Sequence, residues 1–451
     1  GRHAALRGGS GAAAAEAPVV ARLPWPARQS HGTPAGSYAV QPRLFFLFLV
    51  YSKIFNEDIW DRFLAPAVQG VEYRAFVHCK EEADCRRNIK SQHIFEIIPS
   101  VETQYCADLV SGMNALLRAA VQSSTGSPLD KMILLSDSTL PVKPFPLMKS
   151  RLTATGTGSD FCIFPRSQWA EVVGSVPGDP AQPPAKEVAV KHHQWVVLSR
   201  EHATVAMERN DQLRNLVSKF QLNQPGYRNS GCLDEFWHFA VIFQGFDLSG
   251  PGIKTISGLN GGPIVTTSAD VQGQCDTYLH WTPRNSGVDN NLTRLSAMLQ
   301  EDQGTELGPM DEWRPSSISR LSKVSLLALR ESHFLFARKI DDGCPFSGCG
   351  GLTEAFESIV FSDPPRDILG STPQWAGEGA WLDNQSQRVF ASSSEGSVSL
   401  TWATGGATAK GIYCGDRVTM EFSNGYKASA SLSADGRRLH WSNGVVWWRA
   451  S

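Results

Sequence analysis

The sequence predicts an α/β fold with a GT-A-like, mostly parallel β-sheet flanked by helices, followed by a small C-terminal antiparallel β domain. Two observations give the fold class. From Arg43 onward, short and nearly continuous apolar runs alternate with stretches of helical periodicity, which is typical of a sheet covered by helices on both faces. Towards the C-terminus, short alternating segments are separated by hairpin signals, which is typical of antiparallel strands.

Five apolar runs are the predicted strands of the parallel sheet. In chain order they are LFFLFLV (44–50), EYRAFVHC (72–79), HIFEIIP (93–99), MILLSD (132–137) and DFCIFP (160–165). A helix is predicted over DLVSGMNALLRAAV (108–121). The first run is too short for a membrane-spanning helix, which needs roughly 20 residues, so it is interpreted as a buried strand. Ligands of such sheets bind beyond the carboxyl ends of the strands, and we expect the functional residues there.

The C-terminal segment carries three hairpin signals between short alternating segments. They are Asn424-Gly425, Asp435-Gly436 and Asn443-Gly444. Such dipeptides favour two-residue turns because both positions need positive φ, so an antiparallel meander is expected over residues 372–451. Trp441, Trp447 and Trp448 of this segment fit either the core of a small β domain or a sugar-binding surface.

Composition divides the chain into four segments. Residues 1–41 are rich in Ala, Gly and Pro and begin with Gly rather than Met. They are interpreted as a disordered stalk or targeting remnant, with a membrane anchor expected upstream. Residues 42–343 are the predicted α/β domain, residues 344–371 a linker, and residues 372–451 the β domain.

The charge and the cysteines narrow the class of protein. The net charge of −2 gives no basic excess, so nucleic acid is not expected as a partner. The nine cysteines are an odd number without zinc-ligand spacing. The close pair in CPFSGC (344–349) is either a disulfide or two free thiols. Asn291-Leu-Thr and Asn384-Gln-Ser are sequons that permit N-glycosylation of a lumenal chain.

Two adjacent carboxylates, Asp234 and Glu235, stand in the stretch GCLDEFWHF (231–239). Acidic residues favour the first turn of a helix, where unpaired N–H groups carry partial positive charge, and DEFWHFAVIF has the pattern of a helix start. The other interpretation is catalytic, because a carboxylate among aromatic residues is suited to act as a general base. For Asp234 we expect a capping or orienting role.

Four further stretches occur in a fixed order with DEFWHF. They are FLFLVYSKIFNEDIWDRF (46–63), MILLSDSTLPVKPF (132–145), KHHQWVVLSREHA (191–203) and HFLFARKID (333–341). Together the five stretches resemble the core-2/I-branching β-1,6-N-acetylglucosaminyltransferase family, including its plant branch, over residues 43 to about 343. The resemblance implies a GT-A-like glycosyltransferase domain in a type II membrane glycoprotein of the Golgi lumen. It also implies inverting transfer of a sugar, most often N-acetylglucosamine, from a UDP donor to a glycan acceptor.

The resemblance assigns the reacting and donor-binding positions. Glu235 falls on the catalytic base, and Lys339, with Arg338 beside it, falls on the basic element that holds the donor diphosphate. The family's second basic residue falls on Ser316, so either Arg314 or Arg320 is expected to replace it. The uridine contacts are placed near Val50 and His78.

The resemblance also assigns an acceptor side. The residues it places there are Glu102, Asp137, Gln194 and Trp195. Three of them have an ordinary structural interpretation as well. Glu102 and Asp137 can cap a following turn or helix, and Trp195 can be a core residue instead of a stacking platform.

No metal or other cofactor is expected. Many GT-A enzymes bind a metal through D-x-D, but Ser136-Asp137-Ser138 offers one carboxylate and Asp341-Asp342 is adjacent rather than spaced. His192 and His193 are also adjacent, so their side chains point in different directions. Basic side chains are therefore expected to neutralise the leaving diphosphate. The alternative to an enzyme is a non-catalytic glycan-binding protein on the same fold.

Overall fold

The structure is a computed structural model of the chain. It describes residues 40–154, 158–164, 168, 170–173, 186–212, 217, 231–242, 246–247, 255–257, 263–265, 275–280, 290–309, 315–348, 350–362, 375–394, 397–405, 407–414 and 417–450. The expected stalk at 1–41 lies almost entirely outside the described residues, as do Arg314 and Cys349.

The α/β part contains short strands and helices in alternation. The strands are β1 (Leu44–Val50), β2 (Tyr73–Cys79), β3 (Phe95–Ile97), β4 (Lys131–Ser136), β5 (Leu140–Pro141), β6 (Ala170–Val173), β7 (Lys186–Ala189), β8 (Val197–Ser199), β9 (Phe246–Asp247), β10 (Thr255–Ser257), β11 (Pro263–Val265), β12 (Thr277–Leu279), β13 (Glu306–Leu307), β14 (Ile318–Ser322), β15 (Phe336–Arg338) and β16 (Phe346–Ser347). The helices are α1 (Glu57–Leu64), α2 (Glu82–Asn88), α3 (Val110–Ser123), α4 (Phe145–Ala154), α5 (Arg200–Glu208), α6 (Trp237–Ile242), α7 (Asn290–Glu301), α8 (Lys323–Glu331) and α9 (Leu352–Ala355).

The main sheet has the strand order β3-β2-β1-β4-β8. Strand β1 lies in the centre and pairs in parallel with β2 and β4, so that Leu44 is opposite both Tyr73 and Lys131. Strand β8 pairs antiparallel with β4 at the edge. The predicted mixed α/β fold with a mostly parallel sheet is therefore confirmed.

Strand β1 shows why the apolar runs are continuous. Phe46 and Phe48 lie in one core cluster, while Phe45 and Leu47 lie in a second cluster on the opposite face. Helix α1 covers the first face and helix α3 covers the second. Both sides of the strand are thus shielded from water, so neither side requires polar residues.

One predicted strand is wrong. Of the predicted residues 160–165, the described ones, 160–164, form no strand, and Asp160 and Ile163 make only isolated bridges to Val197 and His192. The position beside β4 is taken by β8 instead. The apolar side chains of this run are buried. The apolar run therefore indicated burial correctly, but it did not indicate strand pairing.

Smaller sheets surround the main one. Strands β12, β15 and β5 form one of them, and β15 pairs in parallel with β12 and antiparallel with β5. Because β5 follows β4 after a short turn, this pairing brings β15 close to the carboxyl end of β4. The other small sheets are β13-β14-β16, β11-β10-β9 and β6-β7.

The segment after the α/β domain is also packed. Within residues 344–371, expected to be a linker, lie β16, α9 and a π-helical turn, Phe356–Val360. Leu352 and Phe356 belong to the first core cluster. The packed α/β domain therefore includes residues up to Val360.

The C-terminal domain is a closed eight-stranded antiparallel barrel. Its strands are β17 (Gly379–Leu382), β18 (Arg388–Ser394), β19 (Ser397–Trp402), β20 (Thr408–Cys414), β21 (Arg417–Phe422), β22 (Lys427–Leu432), β23 (Arg438–Trp441) and β24 (Val446–Arg449). The predicted hairpin glycines Gly425, Gly436 and Gly444 have φ of 80°, 68° and 83°, as the turns require. The predicted antiparallel domain is confirmed, and pairing of β17 with β24 closes it into a barrel.

Three disulfides cross-link the α/β part. They join Cys79 to Cys85, Cys106 to Cys232, and Cys162 to Cys275. Cys344 is a buried free thiol, so the disulfide considered within CPFSGC does not form. Burial raises the pKa of the Cys344 thiol to about 12.

None of the helices in the described parts of the chain has both the length and the apolar composition needed to cross a membrane.

Candidate functional site

The carboxyl end of β4 meets the end of β15 through a side-chain hydrogen bond. Arg338, the last residue of β15, donates from Nε to Oγ of Ser136 at 2.7 Å. The backbone N–H of Ile340 donates to the carbonyl oxygen of Ser138 at 2.9 Å. The basic element of HFLFARKID is thereby attached to the turn after β4, where ligands of such sheets bind.

Arg338 is the cation at the centre of this region. Its guanidinium lies over the ring of Trp195, with Cζ 4.6 Å from the ring centroid. Burial lowers the pKa of Arg338 to about 10. Asp137, Tyr105 and Asp234 act in the opposite direction by their charges, so all three lie within electrostatic range. At neutral pH the guanidinium is charged and available to an anionic ligand.

The turn that carries Glu235 is a 3₁₀ helix, Leu233–Glu235, followed by α6. Oε2 of Glu235 accepts a hydrogen bond from the backbone N–H of Cys232 at 3.2 Å. The same oxygen lies 3.3 Å from Nζ of Lys191. The side chains of Glu235 and Lys191 are 20% and 18% exposed, so the ion pair reaches solvent only at one side.

Asp234 points the other way, into the protein. The residue is fully buried, and neither carboxyl oxygen has a hydrogen-bond partner among the residues that the structure describes. Burial raises the pKa of Asp234 to about 7, and the charge of Glu235 adds to the rise. Its own backbone N–H, Arg338 and Lys191 act in the opposite direction. The expected capping role of Asp234 is wrong, because Glu235 supplies the side chain that bonds the start of the turn.

A short loop before α3 is fastened to this turn. Cys106 is disulfide-bonded to Cys232, and its carbonyl oxygen accepts from the N–H of Leu233 at 3.1 Å. Backbone hydrogen bonds in both directions between Gln104 and Asp108 close the loop. Tyr105 at its tip is 67% exposed. An exposed aromatic ring within electrostatic range of Arg338 is therefore held at the rim of the site.

The residues predicted to bind the acceptor differ in how directly they are connected to Arg338. Trp195 packs in the second core cluster and contacts Arg338, so it supports the cation as well as the core. Asp137 is partly buried within electrostatic range of Arg338. Gln194 is partly buried next to Trp195, and Glu102 is exposed on the segment that leads into the Tyr105 loop.

The predicted donor residues are more dispersed. Val50 ends β1 and accepts from the N–H of Lys80 through its carbonyl oxygen at 3.0 Å. His78 is fully buried and accepts from the N–H of Val101 at 3.0 Å through Nε2. Burial lowers the pKa of His78. Contacts of these two residues with a uridine remain a prediction.

The basic residues predicted to bind the donor diphosphate lie on different segments of the structure. Lys339 follows Arg338 directly, is partly buried, and accepts from the N–H of Ile318 through its carbonyl oxygen at 2.7 Å. Arg320 lies on β14, where Nη1 is 3.0 Å from Oε1 of Glu306. Arg314 lies outside the described residues. Arg338 is therefore the basic residue whose placement at the site is best defined.

The adjacent histidines belong to the core. His192 and His193 are buried, and burial lowers the pKa of His192 to about 4 and that of His193 to about 3. Nδ1 of His192 bonds the carbonyl oxygen of His193 at 2.7 Å. Within the described part of the chain, no three His, Cys, Asp or Glu side chains form a group that could hold a metal ion.

The adjacent aspartates after β15 fasten the loop that follows β1. Asp342 forms an ion pair with Lys53 and accepts from the backbone N–H of Asn56. The side-chain amide of Asn56 donates to the carbonyl oxygen of Asp341 at 2.9 Å. These contacts bring the loop beyond β1 to the same edge as the end of β15.

Two residues of the site were not found from the sequence. Lys191 begins the stretch KHHQW, but nothing in the sequence indicates that it reaches Glu235, which is 44 positions away (235 − 191). Tyr105 lies three positions after Glu102, which the resemblance places on the acceptor side, but nothing in the sequence singles out the tyrosine itself. The sequence contains one indirect signal, the neighbouring Cys106. Its disulfide with Cys232 places Tyr105 beside the turn that carries Glu235.

A scan against protein-family models finds no match for this chain, and a search of curated proteins finds none either. The likeness to the core-2/I-branching family is therefore carried by the five quoted stretches alone.

Proposed function

We propose that this protein is an inverting glycosyltransferase that moves a sugar from a UDP donor to a glycan acceptor, with Glu235 as general base. One observation carries the proposal. Arg338 is bonded to Ser136 at the carboxyl end of β4 and interacts electrostatically with Asp234, the neighbour of Glu235. Lys191, the ion-pair partner of Glu235, acts on the same Asp234 as Arg338 does, so the cation and the partly exposed carboxylate of Glu235 share a neighbourhood. This supports the proposal, because the reaction needs a cation and a base near the carboxyl end of the sheet.

The proposed reaction is a single displacement. The hydroxyl oxygen of the acceptor attacks the anomeric carbon of the donor sugar while its proton passes to the carboxylate of Glu235. The bond between that carbon and the diphosphate oxygen breaks, and UDP leaves with the electron pair. Arg338, together with Lys339, neutralises the negative charge that develops on the diphosphate, so the proposal requires no metal ion.

The sugar most consistent with the resemblance is N-acetylglucosamine, and the compartment is the Golgi lumen. Disulfides persist in oxidising compartments and are rare in the cytosol. The three disulfides of the α/β part therefore support a lumenal location. Asn384, in the second sequon, is exposed in the turn after β17, where a glycan can be attached without disturbing the core.

One observation favours the alternative, a glycan-binding protein without turnover. Oε2 of Glu235 is already engaged by Lys191 and by the N–H of Cys232. A carboxylate held in this way accepts a proton from a substrate only if its other oxygen faces the acceptor or the ion pair opens. Turnover, and not binding, is therefore the property that separates the two functions.

The deciding experiment measures UDP release from a panel of UDP-sugars with oligosaccharide acceptors. The proposal predicts acceptor-dependent release with one donor, a loss of about 10²- to 10⁴-fold in Glu235→Gln, and no effect of EDTA. Glu421→Gln is the control, because Glu421 forms an ion pair of the same length, 3.3 Å, with Lys427 on the exposed surface of the barrel. Glycan binding without release from any donor would establish the alternative, and inhibition by EDTA would contradict the metal-free mechanism.

A further inference from the structure

The outer surface of the barrel carries a row of four cross-strand neighbours. Arg388 of β18 is opposite Leu382 of β17, Leu382 is opposite Trp448 of β24, and Trp448 is opposite Arg438 of β23. The residues beside them in each strand, such as Trp381 and Trp447, point into the barrel core, so these four side chains face outward. We call this set the arginine–tryptophan row.

The aromatic member of the row is not part of the core. Trp448 is 52% exposed, and the guanidinium of Arg438 lies 5.0 Å from its ring centroid. Phe390, two residues after Arg388 on the same face of β18, is 48% exposed. Large aromatic side chains seldom stay in water on one continuous surface unless something binds there.

Within the described part of the chain, the arginines of the row make no ion pairs, since neither Arg388 nor Arg438 lies within 4.0 Å of a carboxylate. Asp435 interacts electrostatically with Arg438, but the direct contacts of its carboxylate are with the hydroxyl of Ser433 and the N–H of Arg437. Asp383, beside Leu382, is bonded to Nε1 of Trp402. The guanidinium groups are therefore available to an external anion.

The row is also extended. Neighbouring strands are about 4.8 Å apart, so three strand spacings separate the backbones of Arg388 and Arg438 by roughly 14 Å along the curved surface of the barrel. Two guanidinium groups at this separation fit successive anionic groups of a chain molecule better than a single small anion. The exposed indole between them matches the apolar face of a sugar ring.

We propose that the arginine–tryptophan row binds an anionic polysaccharide, with sulfate or carboxylate groups at Arg388 and Arg438 and a sugar ring against Trp448. The two arginines give the bidentate geometry that suits such groups. A nucleic acid is disfavoured, because proteins that bind it usually present a larger electropositive field, and the whole chain has a net charge of −2. The inference concerns the barrel alone and does not depend on the proposed transfer reaction.

The test compares sulfated dextran with uncharged dextran of the same length, using the full chain at about 0.1 M salt, where only nearby charges interact strongly. Arg388→Ala/Arg438→Ala is expected to weaken binding of sulfated dextran by roughly tenfold or more, and Trp448→Ala by a similar factor. All of these side chains face outward, so the thermal unfolding temperature should stay close to that of the wild type.

Lys410→Ala/Arg417→Ala is the charge-matched control. Lys410 and Arg417 are exposed on β20 and β21, on the other side of the barrel, and their loss should leave binding within about twofold of the wild type. Equal losses in both double variants would overturn the proposal, since binding would then follow net charge and not the row. Tighter binding of a single-stranded oligonucleotide or of phosphatidylserine vesicles than of sulfated dextran would overturn it too.

Discussion

The ammonium group of Lys191 lies 3.3 Å from Oε2 of Glu235, the carboxylate proposed as the base. Neither side chain is more than one-fifth exposed, so water screens this pair less than an ordinary surface ion pair. The lysine has one consequence for a general base, since together with the backbone N–H of Cys232 it fixes the carboxylate in space.

Replacing Lys191 by Met should lower the rate of transfer by releasing the carboxylate of Glu235 from its position. The ion pair holds Oε2 of Glu235 3.3 Å from Nζ of Lys191, and a base displaced by a fraction of an ångström transfers the proton less effectively. We expect acceptor-dependent UDP release to fall by roughly tenfold, while the affinity for UDP stays close to that of the wild type.

The matched control for this variant is Lys427→Met, which breaks the Lys427–Glu421 pair on the barrel. It should leave the rate of transfer unchanged. A wild-type rate in Lys191→Met would mean that the ion pair does not position Glu235 for catalysis.

Asp234 makes stability depend on pH in the direction opposite to most carboxylates. Its folded-state pKa of about 7 is above the ordinary value of 3.8, so the folded protein binds the proton more tightly than the unfolded chain does. The resulting stabilisation is complete below about pH 4 and is lost as the pH rises towards 7. The Asp234→Asn variant should lack this loss, which is on the order of a few kcal/mol.

Urea unfolding of wild type and Asp234→Asn at several pH values measures this effect. The variant should gain stability relative to wild type between pH 5 and pH 8, because an amide cannot ionise. Parallel stability curves over this range would mean that Asp234 is ionised in the folded protein or that it is solvated.

Tyr105 should contribute to substrate binding without contributing to folding. Its ring is 67% exposed, so Tyr105→Ala removes little buried area. We expect the KM for the acceptor to rise by roughly tenfold, since an aromatic platform for a sugar is lost. Tyr105→Phe should retain the wild-type KM, and the melting temperature should be unchanged in both.

Tyr426→Ala is the control for this prediction, because Tyr426 is an exposed tyrosine of the barrel, 47% accessible. An acceptor KM that is the same in Tyr105→Ala and Tyr426→Ala would remove Tyr105 from the site.

The Cys106–Cys232 disulfide should contribute more to stability than Cys79–Cys85 does. The two bridges close sequence separations of 126 and 6 residues. On the chain-entropy account, their removal costs about 5 and about 2 kcal/mol. Chemical denaturation of the paired Cys→Ser variants measures both values. Equal costs would show that strain or residual structure outweighs loop closure.

The parts of the fold that could be predicted were set by local sequence. Strand β1 was evident because seven consecutive apolar residues leave no polar side for water. The three hairpin turns followed from single glycines at positive φ. Closure of the barrel did not, because the pairing of Leu382 with Trp448 joins segments that no local pattern connects.

In the candidate site too, residues in recognisable local stretches could be predicted, and contacts between distant segments could not. Glu235 and Arg338 were identified because each lies in a recognisable stretch. The burial of Asp234 and the capping bond of Glu235 were not visible, because they depend on which carboxylate the turn directs into the core. Lys191 and the Cys106–Cys232 bridge were missed because both are contacts between distant segments.

Titration of UDP and of the active UDP-sugar into wild type, Glu235→Gln and Arg338→Met tests the central claim most directly, because it separates donor binding from proton transfer. The account predicts that Glu235→Gln binds UDP within about twofold of wild type yet transfers no sugar, whereas Arg338→Met loses at least about tenfold in UDP affinity. Wild-type UDP affinity in Arg338→Met, or undiminished transfer in Glu235→Gln, would contradict it.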